Sequence, residues 1–339
     1  MSTKPTDPQS KRKQWANRLI GLLGYATIGT IAWYTIDHQG FWDGVARFRY
    51  YHFFLIFGAL LMNLATRAYR YHWLVRVSGP SNYHWWDGVR IFLTGVALSA
   101  ITPARAGDLI KVRLVKPYGI SWDTGLGLVV VERILDLLVV TATIPIGVIW
   151  LKKEAANQGW ITSSLLFLAI LVLGVLAVSI KNLRIHLLKF VAIALSKLKK
   201  TWHKEKALLR LEGLFVAWDK VFASPSRIIF WIIFSAIAWL FEFSKLALVL
   251  VLIGGSFDLA IPLFVYPMSI VAGILTVLPF SEGTLCLTGV ALMVTVLKIN
   301  KNLASVAVVI DRATSVLIPV VLGFIWNLLA SRPDTRAHK

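Results

Sequence analysis

Ten residues could do polar chemistry in a chain that is otherwise short of it: Arg105, Asp108, Glu132, Arg133, Asp136, Glu242, Lys245, Glu282, Asp311 and Arg312. Glu132, Arg133 and Asp136 fall inside an apolar run at about 126–150, and Glu242 and Lys245 near the middle of another at about 227–253. Asp311 and Arg312 lie early in a third run, at about 303–330. A charge inside a membrane span costs about 3 kcal/mol on insertion scales, so such residues face a protein interior or a wet cavity. A guanidinium matches phosphate oxygens through paired hydrogen bonds and keeps its charge. Arg105, in the turn Thr102-Pro-Ala-Arg-Ala-Gly-Asp108, is therefore expected to grip a phosphate. Arg133 and Arg312 would be further phosphate stations, one near each face. Glu132, Asp136, Glu282 and Asp311 would hold those arginines or meet a cationic group. Glu242 and Lys245, spaced i, i+3, share a helix face and can pair. A competing reading has Glu132, Arg133 and Asp136 simply pairing to pin helices together.

These residues need long helices to position them. The chain has 339 residues, 57% of them apolar and 16% charged, with a mean hydropathy of +0.69. That composition excludes a soluble domain and implies an all-α, polytopic integral membrane protein. The net charge of +19 lies in loops beside apolar runs, where it matches anionic headgroups and sets orientation, so no nucleic acid partner is expected. The single Cys286 and seven scattered histidines give no metal site, and no cofactor loop or catalytic triad is legible.

In order, residues 1–18 form a basic cytoplasmic tail, and a retained signal anchor spans about 19–36. A second span at about 50–66 returns to a basic loop holding Arg67, Arg70, Arg76 and Arg90, whose interleaved Tyr69, Tyr71, Trp73, Trp85 and Trp86 suit an interfacial belt. The run 89–101 is too short to cross roughly 30 Å of hydrocarbon and stops at Pro103, which suits a re-entrant hairpin. The link 109–124, with Lys111, Arg113 and Lys116, belongs on the basic side. Spans follow at about 126–150 and 160–180, then a basic amphipathic cytoplasmic connector at 181–226. After the span at 227–253, residues 259–297 form a second hairpin, and a last span at 303–330 precedes a tail at 331–339. The total is about six full spans and two re-entrant hairpins in one transmembrane domain, 19–330.

The halves at about 50–150 and 227–330 read as a repeat. Pro103-Ala-Arg-Ala-Gly107 answers Pro279-Phe-Ser-Glu-Gly283, and Val131-Glu-Arg133 answers Ile310-Asp-Arg312. With the basic loops cytoplasmic, the two hairpins enter from opposite faces, an inverted-topology repeat.

The Thr102–Asp108 turn, the basic link and Val129-Val-Val-Glu-Arg-Ile-Leu-Asp136 resemble the membrane region of the lysylphosphatidylglycerol synthase/flippase family, as do Leu278-Pro-Phe-Ser-Glu-Gly283 and the later Asp311-Arg312. The resemblance covers nearly the whole chain. The basic segments place both termini on the cytoplasmic side of the cell membrane, while the resemblance implies an integral membrane protein that handles lipids with polar headgroups. These would be an anionic phospholipid or a polyprenyl-phosphate-linked lipid, and a lipid-biosynthetic enzyme would be a fitting partner. Relatives that synthesise the aminoacylated lipid carry a soluble catalytic domain after the membrane part, and the sequence ends about nine residues past its last span, so synthesis is not expected. Many relatives have an acid where Gly289 stands, with Glu282 displaced into the turn. The expectation is a lipid translocase, a flippase or scramblase. The alternative is a membrane-embedded transferase or accessory partner in lipid or polyprenyl-linked glycan biosynthesis.

Overall fold

The computed structural model describes residues 49–102, 107–151, 158–186, 213–276 and 281–330, with a few isolated positions between 39 and 46. The tail at 1–18, the span at 19–36, most of the connector and the tail at 331–339 lie outside the described residues. Everything regular in the described part is helical. In chain order the helices are α1 (Tyr50–Val77), α2 (Trp85–Ile101), α3 (Leu109–Val115), α4 (Trp122–Leu151), α5 (Gln158–Ser179), α6 (Pro225–Leu252), α7 (Ala260–Thr276), α8 (Ser281–Thr295) and α9 (Lys301–Ala330). Shorter helical pieces lie at 181–186 and 213–221. Among the described residues, five helices (α1, α4, α5, α6 and α9) are long and apolar enough to cross a membrane. The all-α, polytopic architecture expected from composition is the one observed. With 17 residues each, α2 and α7 reach about 25 Å at 1.5 Å per residue, short of a bilayer core.

Local chemistry sets the helix ends. Asp258 Oδ1 accepts the Ala260 N–H at the start of α7, and Asn300 Oδ1 accepts the Asn302 N–H at the start of α9, each satisfying a donor that the first turn leaves free. Pro225 opens α6, where a missing N–H loses nothing. Gly79 and Gly254 follow the ends of α1 and α6 at φ of 79° and 102°, a region that L side chains resist.

Two expectations are corrected. The second span does not end at 66: α1 continues to Val77, so Arg67, Arg70 and Arg76 stand on a helix and not in a loop. Arginines interrupt a hydropathy pattern, but they do not interrupt a helix whose charged face is ion-paired inside protein. Nor are the neighbouring aromatics all a belt, since Tyr71 and Tyr83 are core residues while Tyr69 and Trp86 are exposed. Within the link at 109–124, α3 buries Lys111 with Val112 and Val115 and leaves Arg113 outside.

The packing is crosswise. α1 and α6 run antiparallel along a central seam, with Asn63 Nδ2 donating to the Ala238 carbonyl at 2.6 Å and Tyr69 meeting Phe230 and Phe234. The start of α2 lies on the end of α9, where Trp86 stacks on Trp326. The start of α7 lies on the end of α4. A glycine makes each of the last two crossings possible. A Cβ on Gly323 would fall 2.6 Å from the Ala97 Cβ, and one on Gly147 would fall 2.9 Å from the Leu263–Phe264 backbone. By contrast α5 packs chiefly on α4 among the described long helices and exposes Leu166, Ile170 and Leu173 to the surroundings.

The short helix at 213–221 docks across the ends of α1 and α4. Trp218 donates to Ser179 Oγ at 3.1 Å, and Lys220 Nζ donates to the Ser78 carbonyl at 3.0 Å. Arg184 grips Asp219 through two hydrogen bonds of 2.8 and 2.6 Å. Those hydrogen bonds hold the Asp219 carboxyl below the usual carboxylate range.

Two apolar cores result, and the boundary between them falls at a similar place on three helices. One core takes Leu128 to Leu135 of α4 with Trp231 of α6, and Ile318 to Trp326 of α9 pack against it. The other takes Val140 to Val148 of α4, Phe243 to Leu250 of α6 and Ala304 to Val308 of α9. Asp136, Glu242 and Asp311 stand at the crossover.

Candidate functional site

The first charged cluster is built by α1, α3 and α4. Arg67 and Arg70, three residues apart on α1, both reach Asp136 of α4, at 3.0 Å to Oδ2 and 2.7 Å to Oδ1 respectively. Arg70 also donates to Ser235 of α6 and lies 3.7 Å from Glu132. Lys111 of α3 places its Nζ 3.0 Å from Glu132 and 3.1 Å from Asp108. Arg133 donates to the other oxygen of Asp108 and lies 3.9 Å from Asp136. Four cations meet three carboxylates, each of which serves at least two cations.

The surroundings shape this cluster. Lys111 Nζ stands 5.0 and 5.1 Å from the ring centres of Tyr71 and Phe92, so aromatic faces replace part of the water it has lost. Gly95 of α2 provides the passage, since a Cβ there would fall 2.4 Å from Lys111 Cε. Gly107 seats the Thr102–Asp108 turn on α2: its N–H donates to Thr102 Oγ1 at 2.7 Å, and a Cβ would fall 2.2 Å from the Leu98–Ser99 backbone.

The second cluster is built by α6, α7 and α9. Lys245 Nζ lies 3.1 Å from Glu242 and 3.2 Å from Asp311, and donates to Ser315. Arg312 reaches Glu242 at 2.9 Å and its neighbour Asp311 at 2.7 Å. Tyr266 of α7 donates to Asp311, accepts from Arg312 and lies under the Arg312 guanidinium at 4.8 Å. Two cations balance two carboxylates.

Arg67 links the clusters. Its Nε donates to Asn63 Oδ1 at 3.2 Å and its guanidinium covers the Trp239 ring at 4.8 Å. Trp239 is one turn before Glu242 on α6, so Arg67 of the first cluster rests against the helix that carries the second.

Eight of the ten candidate residues thus fall in these two clusters, as Asp108, Glu132, Arg133 and Asp136 in one and Glu242, Lys245, Asp311 and Arg312 in the other. Arg105 and the Glu282 side chain lie outside the described residues. The expected pair of Glu242 and Lys245 forms. Arg133 pairs with Asp108 more closely than with Asp136. Gly289 sits on α8, where a Cβ would meet Val308, Val265 and Ser269 at 3.6 to 3.8 Å. Sequence reasoning missed Arg67, Arg70, Lys111 and Tyr266. The period of Asn63, Arg67 and Arg70, at i, i+4 and i+7, was the available signal, because it puts one polar stripe on a single helix face.

A bundle of membrane-length helices that encloses this many acidic and basic side chains is a multi-pass membrane protein with a polar interior. The family described as the lysylphosphatidylglycerol synthase transmembrane region matches the chain over residues 19–323. The chain belongs to that family. No curated protein matches it. The lysylphosphatidylglycerol synthase transmembrane-region assignment ties the molecule to lipids, and both clusters lie within the matched residues.

Proposed function

We propose that the protein is a lipid translocase, a flippase or scramblase that carries a phosphate-bearing headgroup across the cell membrane while the acyl chains stay in lipid. The observation that carries this reading is the charged layer itself: among the described residues, six cations and five carboxylates on α1, the turn into α3, α3, α4, α6 and α9, between two apolar cores. A headgroup cannot enter hydrocarbon without losing its hydration, and an interior lined by charged partners substitutes for that water. The antiparallel α1–α6 seam, and the matching crossings of α2 on α9 and α7 on α4, support an inverted repeat of halves at about 50–150 and 227–330. Rocking of one half against the other would then open the charged layer to each leaflet in turn. The basic segments favour cytoplasmic termini.

In this reading Arg105 and Arg133 receive the phosphate on one side and Arg312 on the other, with the carboxylates holding the arginines in place. Purified protein in liposomes with headgroup-labelled lipids, followed by an external quencher, tests it. Transfer is expected in the wild type and its loss in Arg105→Ala, with Glu242→Gln slowed. Transfer at the wild-type rate in both variants would overturn these roles, and absence of transfer for every phosphate-bearing lipid would overturn the translocase.

A further inference from the structure

The two short helices α2 and α7 are seated differently along their lengths. α2 carries no proline, and its far half fits without clearance. A Cβ on Gly95 would fall 2.4 Å from the Lys111 side chain, and one on Gly107 would fall 2.2 Å from the Leu98–Ser99 backbone. α7 carries Pro267 in its middle. Having no N–H, Pro267 leaves the Leu263 carbonyl without its helical donor. A hydroxyl from a neighbouring helix commonly satisfies such a carbonyl inside a membrane. Here the Thr143 hydroxyl of α4, which serves the Val140 carbonyl at 2.7 Å, reaches Leu263 at 3.5 Å. The first turns of α7 therefore rest on α4 at the Gly147 crossing, and the helix is weakened just beyond them.

Burial changes at the same residue. Ahead of Pro267, the side chains of Ala260, Phe264, Val265 and Tyr266 are 1–6% exposed. Beyond it Met268, Ile270 and Val271 are half-buried, and the enclosed Ser269 hydroxyl has no hydrogen-bond partner. α8 has its own weak point at the same level. Gly289, a residue that costs a helix stability, faces Val265 and Ser269 on either side of Pro267, and a Cβ there would meet them and Val308 at an ordinary 3.6 to 3.8 Å. Past Gly289, Met293 is back in the core. Pro145 and Pro319 also interrupt α4 and α9, but packed residues flank each of them, Ile144 and Val148 in one core and Ile318 and Leu322 against the other.

Building on the translocase reading, we propose that Pro267 and Gly289 form a paired hinge, about which the later turns of α7 and the start of α8 swing as a gate to the polar interior. The first hairpin stays fixed. Tyr266 lies on the base side of the pivot, so its hydrogen bonds to Asp311 and Arg312 hold while the gate moves.

The nine residues of α7 beyond Pro267 extend about 14 Å at 1.5 Å per residue, so a change of about 20° in the kink carries their end by about 5 Å. Spin labels at Ser281, where α8 starts, and at Ile149 of α4 report that movement in the full chain in nanodiscs, in a Cys286→Ser background. A second pair, Leu109 at the start of α3 and Ile233 of α6, reports the first hairpin. Pulsed electron double resonance is expected to find two populations about 5 Å apart for the first pair and one population for the second. Pro267→Ala gives Leu263 its donor back and is expected to shift the populations about three- to tenfold toward one distance, as one added hydrogen bond implies, and to slow headgroup transfer in liposomes. Gly289→Ala has room for its methyl group and stiffens the other pivot, so it carries the same expectation should Pro267→Ala fail to fold.

A single population for the Ser281–Ile149 pair overturns the proposal, as do two populations for the Leu109–Ile233 pair. So do populations unchanged in both variants, or transfer at the wild-type rate where the populations have shifted. The distances need no transport, which separates the hinge from the translocase. Two populations that respond to Pro267→Ala, without transfer of any lipid, keep the hinge and sink the translocase reading. Transfer by a wild type with one population does the reverse.

Discussion

Each of the two charged clusters contains an acid followed directly by an arginine on a long helix, yet they are wired differently. In the first, Glu132 and Arg133 are neighbours in sequence that turn away from each other: Glu132 meets Lys111 and Arg133 meets Asp108. In the second, Asp311 and Arg312 bind each other, and Tyr266 closes the loop between them. The first cluster is a brace between helices with an open cation at its edge. The second is a neutral knot around α9. The same acid-arginine dipeptide therefore does two jobs, and the element beside it decides which. The turn into α3 brings the acid Asp108 and α3 the lysine Lys111 to the first, while α6 brings the balanced pair Glu242 and Lys245 to the second.

The difference can be broken most forcefully at Arg70. It is enclosed, it ties Asp136 to α1 and Ser235 to α6, and it lies near Glu132. Arg70→Met is expected to destabilise the protein by about 3–5 kcal/mol, the usual result of removing one partner of a buried ion pair. Arg70→Met with Asp136→Leu should recover much of the loss. Chemical unfolding in detergent measures both, and a double variant no more stable than the single one would contradict the brace. In the second cluster, Tyr266→Phe removes one hydroxyl that serves both Asp311 and Arg312, for an expected loss of about 1.5–3 kcal/mol. An unchanged unfolding midpoint would mean that the knot holds without it.

Gly95→Ala probes the first cluster from behind. The new methyl group displaces the Lys111 stem from beneath Tyr71 and Phe92, and overpacking of this kind costs about 1–3 kcal/mol. Since Lys111 also pairs with Asp108, Gly95→Ala should loosen Arg133 as well, which slower headgroup transfer in liposomes would report. The smallest effect is expected outside both clusters. Asp219 is about half exposed, so its ion pair with Arg184 contributes at most about 1 kcal/mol. Its carboxyl sits below the usual range in the folded protein, so that contribution is present above the ordinary carboxylate pKa and fades as pH falls through the depressed value. Asp219→Asn should remove it at neutral pH, and protease nicking near 181–226 as a function of pH would reveal the undocking.

The acids of both clusters were legible in the sequence because a carboxylate in an apolar run has no ordinary explanation. Their partners were not. Arg67 and Arg70 followed an apolar stretch and looked like the basic end of a span, and Lys111 sat among other basic residues in a linking segment. Positive charge near a span end has a routine interfacial reading, and only the fold shows which cations turn inward. Tyr266 and Ser235 carry no charge and left no mark at all. Fold class was legible from composition, and five of the expected spans are helices of the expected kind. The error at 66 came from reading a helix boundary where there was only a change of solvent on one helix face.

The placement of the cations also bears on how the protein is made. A chain synthesised from its N-terminus delivers Arg67 and Arg70 on α1 well before α4 brings Glu132 and Asp136. In contrast α6 emerges with Glu242 and Lys245 already neutralising each other. During membrane insertion, then, α6 can enter as a finished span. The later turns of α1 must wait at the headgroups, where water and lipid phosphates accommodate the two arginines, and the helix settles to full depth only when α4 arrives with their counter-ions.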